Sequence, residues 1–149
     1  MPFTEAKRII YEKNILDRVV CQLKFPPNLK IDKEIPSDFQ NAISNIFTEL
    51  EVKNETVLST NVANNSFNFS QSQNKNYEFL SKDGNWKVNL TRTFTALSTT
   101  EYSKWEDFEE KLKVPFNALL EFYSPPYISR VGLRYIDIIK RSDLALDQA

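Results

Sequence analysis

The side chains of this chain that could do chemistry are mainly carboxylates and arginines, because it contains no histidine and a single cysteine. Without imidazole the chain cannot build a Ser-His-Asp or Cys-His nucleophile, and it lacks both the commonest ligand of zinc and the side chain best suited to proton transfer near neutral pH. Most hydrolase mechanisms are therefore excluded, and we assign no catalytic residue. The candidates for a ligand or interaction site are Arg92, Arg130, Arg134, Tyr135 and Asp137.

Asp137 is the carboxylate with the most unusual predicted surroundings. It continues a run of apolar residues at two-residue steps, Val131, Leu133 and Tyr135, so its side chain would lie on the apolar side of a strand. A buried carboxylate needs a cationic or hydrogen-bonding partner, which one of the three candidate arginines could supply. We favour such a structural pair. The alternative is a small-ligand site or a carboxylate-metal enzyme that cleaves phosphodiesters without histidine, in a cleft between the sheet and the second helix.

Basic residues recur in the predicted strands and could form a platform for an anion or for RNA. Such a platform would need them to share a sheet face with an aromatic residue such as Tyr77 or Trp86. Ordinary exposed strand residues explain the same pattern, and 19 basic against 20 acidic side chains give a net charge of −1, without general attraction to nucleic acid. We therefore disfavour nucleic acid as the partner. The basic residues concerned are Arg18, Lys24, Arg92, Arg130 and Arg134.

Composition also argues against the common cofactor sites. The chain has two glycines, Gly84 and Gly132, which are too far apart in the sequence to form either of the Gly-rich phosphate-binding motifs. Cys21 has no second cysteine with which to form a disulfide or a zinc site, and its position on the apolar side of the first strand predicts a buried, unreactive thiol. We expect no metal and no organic cofactor.

The first half of the chain predicts a strand and a helix. Leu16 to Phe25 alternates apolar and polar side chains and is followed by two prolines, as in a half-buried strand. Ser37 and Gln40 have the spacing of a capping box, and apolar residues continue at helical steps as far as Leu50, so we predict a helix. Residues 52–76 are rich in Asn, Ser and Thr, which predicts a weak strand with long loops. Two short β-type runs fall there, Thr56–Ser59 and Ser66–Ser70.

The second half begins with a predicted hairpin around Asp83-Gly84, because glycine accepts the positive φ of a tight turn. Its second arm, Trp86–Thr99, would place Phe94 and Ala96 on the same face as Trp86, with a bulge or bend where Leu97 falls out of phase.

A second helix and a last strand follow. Ser103 and Glu106 form another capping box before a helical stripe, in which Pro115 predicts a kink or a break. The segment from Ile128 to Ile139 predicts a well-buried strand, in which Gly132 marks a bulge or the close approach of a backbone or ligand.

These elements predict an α+β fold, with an antiparallel sheet of about four to five strands and two helices on one face in the order β-α-β-β-β-α-β. A chain of 149 residues fits a single domain, residues 1–149. The unpaired cysteine and an N-terminus without a signal-peptide core predict a cytoplasmic protein. No apolar run reaches the roughly 20 residues that span a bilayer, so we expect no membrane association.

The stretch from Tyr77 to Ile139 contains a Y-x-x-W-x-x-F helix followed by an R-x-G-L-R-Y strand. In this arrangement the chain resembles a sporadically distributed family of prokaryotic proteins with no assigned function, and the first strand and helix are similar too. The resemblance implies a prokaryotic protein of an accessory system and supplies no substrate, cofactor or catalytic residue. The positions are Tyr102, Trp105, Phe108, Arg130, Gly132, Leu133, Arg134 and Tyr135.

Members of that family generally continue well beyond the GLRY strand. The resemblance therefore implies a short form or an N-terminal part of a longer architecture, in which a sheet edge or an apolar helix face is left for a partner to cover. Our leading hypothesis is a non-enzymatic binding or protein-interaction domain with a protein partner or a second copy of itself.

Overall fold

A computed structural model describes residue 9 and residues 15–63 and 66–139. Within these residues the chain forms one antiparallel sheet of six strands and three helices. The predicted α+β class and the antiparallel sheet are confirmed. The described residues form more strands and helices than the predicted four to five strands and two helices. In chain order they are β1 (Leu16–Lys24), α1 (Leu29–Lys33), α2 (Ser37–Ile43), β2 (Phe47–Ala63), β3 (Ser66–Ser81), β4 (Trp86–Leu90), β5 (Phe94–Thr99), α3 (Trp105–Tyr123) and β6 (Arg130–Asp137).

The strands lie side by side in the order β2-β3-β4-β5-β1-β6. Strand β1 has the predicted alternation, since Val19, Cys21 and Leu23 are buried and the residues between them are less so. Burial raises the pKa of the Cys21 thiol, in agreement with the predicted buried cysteine.

Helices α2 and α3 pack on the same side of the sheet, which we call the inner side. Phe39 of α2 lies 5.5 Å from Phe79 of β3 between ring centroids, and Phe108 of α3 lies 5.9 Å from Trp86 of β4. All four side chains belong to one buried cluster. Because side chains alternate along each strand, the intervening residues face the opposite, outer side.

The longest hairpin occupies the segment that we predicted as loops and a weak strand. Strands β2 and β3 pair from Phe47 opposite Ser81 to Ala63 opposite Ser66. The predicted helix is also too long, because α2 ends at Ile43 and Phe47 begins β2. Phe47 is buried as the first residue of strand β2. Its helical spacing from Ile43 arises by chance, because α2 ends shortly before β2 begins. Cross-strand pairing outweighs the weak local preference of Asn, Ser and Thr.

Neither predicted capping box forms. Pro36 and Lys104 occupy the N-cap positions of α2 and α3, and neither makes a side-chain capping bond. Ser103 instead donates a hydrogen bond of 2.8 Å to Asp107. Helix α3 is continuous across the buried Pro115, so the predicted break is absent; the missing backbone bond is tolerated where the helix packs on the sheet.

The Asp83-Gly84 hairpin is confirmed, with Gly84 at φ +76°. Asp83 accepts hydrogen bonds from Ser81 Oγ at 2.6 Å and from the backbone N–H of Asn85 at 3.0 Å. The second arm is two strands, β4 and β5, so the single predicted face is wrong. Leu97 lies opposite Val88 on the inner side, and Ala96 faces outward opposite Asn89.

None of the described helices is long and apolar enough to cross a membrane. The N-terminal residues on which the absence of a signal peptide was predicted lie largely outside the described residues.

Candidate functional site

Strand β6 lies at one edge of the sheet, where β1 is its neighbour among the described strands. The register places Val131, Leu133 and Tyr135 opposite the buried residues of β1 and therefore on the inner side. These three side chains nevertheless remain 66 %, 45 % and 44 % exposed. The prediction of a well-buried strand is wrong, because an apolar strand is buried only when other elements cover it. We call these three residues the apolar stripe.

One end of the apolar stripe is fastened to the core through aromatic contacts. The ring of Tyr135 meets Tyr102 edge-on at 5.5 Å, and their hydroxyl oxygens lie 3.4 Å apart. Tyr102 in turn packs against the fully buried Phe108 at 5.9 Å. The position of β6 at this end is thus linked to α3 through Tyr102, while Leu133 and Val131 lie further along the strand from this contact.

Asp137 does not have the surroundings that its parity predicted. It ends β6 opposite Leu16, and its side chain is exposed. Its side lies opposite the one that Arg130 and Arg134 occupy, because strand residues of odd and even number face opposite sides. The predicted ion pair within the core is therefore wrong. Among the described residues no cluster of three His, Cys, Asp or Glu side chains could hold a metal ion.

Arg92 belongs to a different part of the molecule. It lies in the turn between β4 and β5 rather than in a strand, and its guanidinium lies 3.6 Å from the Asp32 carboxylate of α1. Its carbonyl accepts a hydrogen bond of 2.7 Å from the backbone N–H of Asn28. These contacts hold α1 against the end of the sheet, which is a structural role.

Arg130 and Arg134 come together on the outer side of β6. They flank Gly132, which pairs with Gln22 of β1. With Val20 these residues line a shallow groove of about 200 Å³, which we call the arginine groove. The register is continuous at Gly132, so the bulge predicted there is absent; a Cβ at this position would have its nearest neighbour, the carbonyl oxygen of Gln22, 4.0 Å away.

The outer side also carries a carboxylate, Glu78, that the sequence offers as a candidate without indicating its burial or its partners. Glu78 of β3 is 5 % exposed; its oxygens lie 2.8 Å from Lys53 Nζ and 3.3 Å from Lys87 Nζ, and one accepts a bond of 3.2 Å from Asn89. Burial alone would raise the pKa of Glu78, but the lysines and Asn89 together lower it below its ordinary value. The sequence does not predict this cluster, because its residues are brought together by the register of β2, β3 and β4.

The candidate residues therefore separate into three places. Arg130 and Arg134 share the arginine groove, Tyr135 and Asp137 face the inner side, and Arg92 holds α1. The predicted cleft between sheet and second helix does not gather them. Comparison with protein-family models, curated proteins and solved structures finds no match. The resemblance to a prokaryotic family stays a prediction, and function is inferred from the geometry and charge of β6.

Proposed function

We propose that this chain is a non-enzymatic protein-interaction domain and that β6, with its apolar stripe, is the binding surface. The observation that supports the proposal is the 44–66 % exposure of the stripe on an edge strand. An exposed apolar strand at a sheet edge is prone to pair with another chain, and contiguous exposed apolar surface commonly marks an interaction site. A role in a prokaryotic accessory system stays a prediction.

The mode of binding that suits this surface is addition of a strand. An extended segment of the partner would hydrogen-bond to the edge of β6 that no other described strand pairs with, and its alternate side chains would contact the two sides of the sheet. The eight residues of β6 would pair with a partner segment of similar length. Its inward side chains would cover the apolar stripe, and its outward side chains would lie beside the arginine groove.

The other sheet edge is less suited to this role. Strand β2 exposes Leu50 and Val52 on its inner side, at 40 % and 52 %. Its outer side carries Glu49, Glu51 and Lys53, which are charges of both signs, and Lys53 already pairs with Glu78, so this edge offers no uniform charge that would select a partner. Strand β6 continues instead into further exposed apolar residues, Ile138 and Ile139 at 47 % and 65 %.

No observation favours the carboxylate-metal alternative. That reaction would need the arginines and Asp137 to face one cleft, whereas they face opposite sides of β6.

The proposal can be tested by selecting random heptapeptides from a displayed library against the full chain. The dissociation constants of the selected peptides would then be measured by fluorescence anisotropy. The test variant carries Val131→Lys and Leu133→Lys, and the matched control carries Leu50→Lys and Val52→Lys at the opposite edge. Because all four positions are exposed, both variants should keep a melting temperature near that of the wild type.

We expect the β6 variant to weaken binding by about tenfold or more, which corresponds to about 1.4 kcal/mol, and the β2 variant to leave it nearly unchanged. Failure to select any peptide, or selected peptides that bind the β6 variant as tightly as the wild type, would refute the assignment of β6 as the binding surface.

A further inference from the structure

The outer side of β6 is positively charged, whereas the apolar stripe on its inner side carries no charge. Arg130 and Arg134 are both exposed and are separated by two steps along the same side of the strand. Gly132 between them leaves the backbone open to the arginine groove. Any strand paired with the edge of β6 would place its own outward side chains beside these two guanidinium groups.

These cations have no acidic neighbour to balance them within the described part of the chain. Neither arginine forms a salt bridge or side-chain hydrogen bond there, and the residue opposite Arg130 on β1 is a further cation, Lys24. Like charges directly opposite in a sheet are destabilising. The other half of the outer side differs, because Glu78 balances Lys53 and Lys87 there. Among the described residues, the uncompensated positive charge of Arg130, Arg134 and Lys24 on the outer side therefore lies at and next to the β6 edge of the sheet.

We propose that the segment bound at β6 comes from a partner protein and carries two carboxylates four residues apart, with apolar residues at the positions adjoining them. This inference rests on the proposed function. Two carboxylates at that spacing would lie opposite Arg130 and Arg134, and the intervening apolar side chains would cover the apolar stripe. Opposite charges in a cross-strand pair are favourable, and arginine is well suited to carboxylate recognition.

A second copy of β6 fits this surface poorly. Antiparallel self-pairing would bring another Arg130 and Arg134 to the same outer side, whereas the only carboxylate of the strand, Asp137, faces the inner side. Pairing centred on Arg134 would even place its two copies directly opposite each other. Charge complementarity therefore favours an acidic segment over the pairing of two β6 strands.

Three labelled peptides test this inference by fluorescence anisotropy with the full chain: LDVSVDL, its neutral form LSVSVSL and its basic form LKVSVKL. In antiparallel register the two acids of the first peptide lie opposite Arg134 and Arg130, and its two valines lie opposite Leu133 and Val131. We expect the acidic peptide to bind at least tenfold more tightly than the basic peptide and measurably more tightly than the neutral one. Its affinity should fall as salt rises, because exposed ion pairs are screened.

A charge-reversal variant, with Arg130→Glu and Arg134→Glu, should invert the preference so that the basic peptide binds more tightly. The matched control carries Lys33→Glu and Lys82→Glu, two exposed lysines elsewhere on the surface, and has the same change in net charge. It should keep the preference of the wild type. Equal binding of the acidic and neutral peptides, or inversion by the control variant as well, would overturn the inference.

The outcomes separate this inference from the proposed function. If library-selected peptides bind through β6 but lack paired acids, the function stands and the inference fails; if no peptide binds through β6, both fail. Residues 143–147 of this chain read DLALD, which has the same alternation. Binding of the acidic peptide only after Asp143→Asn and Asp147→Asn would overturn the inference in favour of the chain's own segment, and a dimer that disappears in the β6 lysine variant would overturn it in favour of a second copy.

Discussion

Replacement of Glu78 by glutamine tests the charge layout of the outer side directly. The carboxylate is almost fully buried, and Lys53, Lys87 and Asn89 contact it at 2.8, 3.3 and 3.2 Å. Glutamine preserves the size of the side chain and one oxygen that Asn89 can still reach, but it removes the negative charge. The two lysines would then lose the buried counter-charge that both of them contact.

The expected loss of stability depends on how far the side chains of Glu78 and its two lysine partners are exposed to water. A hydrogen bond to a charged group contributes about 1.5–3 kcal/mol when it is shielded, whereas an exposed ion pair contributes about 0–1 kcal/mol. The side chain of Glu78 is 7 % exposed, but those of Lys53 and Lys87 are 57 % and 32 % exposed, so water screens the cations. We expect Glu78→Gln to lower the free energy of unfolding by about 1–2 kcal/mol near neutral pH.

The pKa of Glu78 predicts how its contribution to the free energy of unfolding changes with pH. The pKa of Glu78 in the folded chain is below its ordinary value of 4.5, so the folded state binds a proton less readily than the unfolded state. The stabilisation by the carboxylate is therefore complete above the unfolded pKa and is lost as the pH falls through the folded pKa. The difference between wild type and Glu78→Gln should shrink accordingly in acid.

Urea unfolding of wild type, Glu78→Gln and Glu51→Gln at neutral and acidic pH measures these differences. Glu51 is the matched control, because it lies directly opposite Glu78 on β2 and is exposed; its replacement should cost no more than about 0.5 kcal/mol. Equal losses in the two variants, or a loss for Glu78→Gln that stays constant into acid, would refute the argument that buried charge pairing organises this half of the outer side.

Three further predictions concern the core and the turns. Phe108→Ala should lower the free energy of unfolding by about 3–5 kcal/mol, measured by urea unfolding, since its fully buried ring joins α3 to the sheet; a loss under about 1 kcal/mol would contradict this. Gly84→Ala should lower the free energy of unfolding by about 1–2 kcal/mol because Gly84 has a positive φ. Gly132→Ala should be nearly neutral in thermal unfolding, since there is space for a Cβ at that position, and equal effects of the two variants would contradict this. Cys21 should react with a thiol reagent much more slowly in the folded chain than in denaturant, because burial raises the pKa of its thiol; rapid reaction of the folded chain would show that the thiol is accessible.

The parts of the fold that the sequence predicts correctly are those with a local signal. Alternation over β1 and the conformational freedom of Gly84 act within a few residues, so both features could be predicted without knowledge of the sheet. The Asn- and Ser-rich portions of β2 and β3 contain only two short β-type runs, Thr56–Ser59 and Ser66–Ser70, and the rest of these portions depends on backbone pairing between the two strands. The end of α2 at Ile43 could not be placed either, because the next apolar residues keep the helical spacing by chance.

The candidate site shows the same division. The residue types of Arg130 and Arg134 and their parity on one strand were visible in the sequence, and the structure places both on the outer side. Whether Val131 and Asp137 are buried depends instead on which elements lie beside and above β6. That information is contained in the order of the strands, which involves pairings between distant parts of the chain.

Strand β6 combines a composition suited to the middle of a sheet with a position at its edge. An exposed edge of this kind usually carries charges on its inward side, a proline or a bulge, which keep other chains away. The inward side of β6 carries Val131, Leu133 and Tyr135, whose register with β1 is unbroken. The inward charge of the strand, Asp137, and the register shift between Leu16 and Arg18 of β1 both lie at one end of the pairing, beyond the apolar stripe. Arg130 and Arg134 oppose pairing only through the charge of the outer side. They would repel a second copy of the same strand and attract an acidic strand. In the proposed function, an exposed apolar edge that would otherwise favour aggregation would become selective for a partner that supplies the carboxylates, and this expected selectivity is why we assign recognition to β6 rather than to β2.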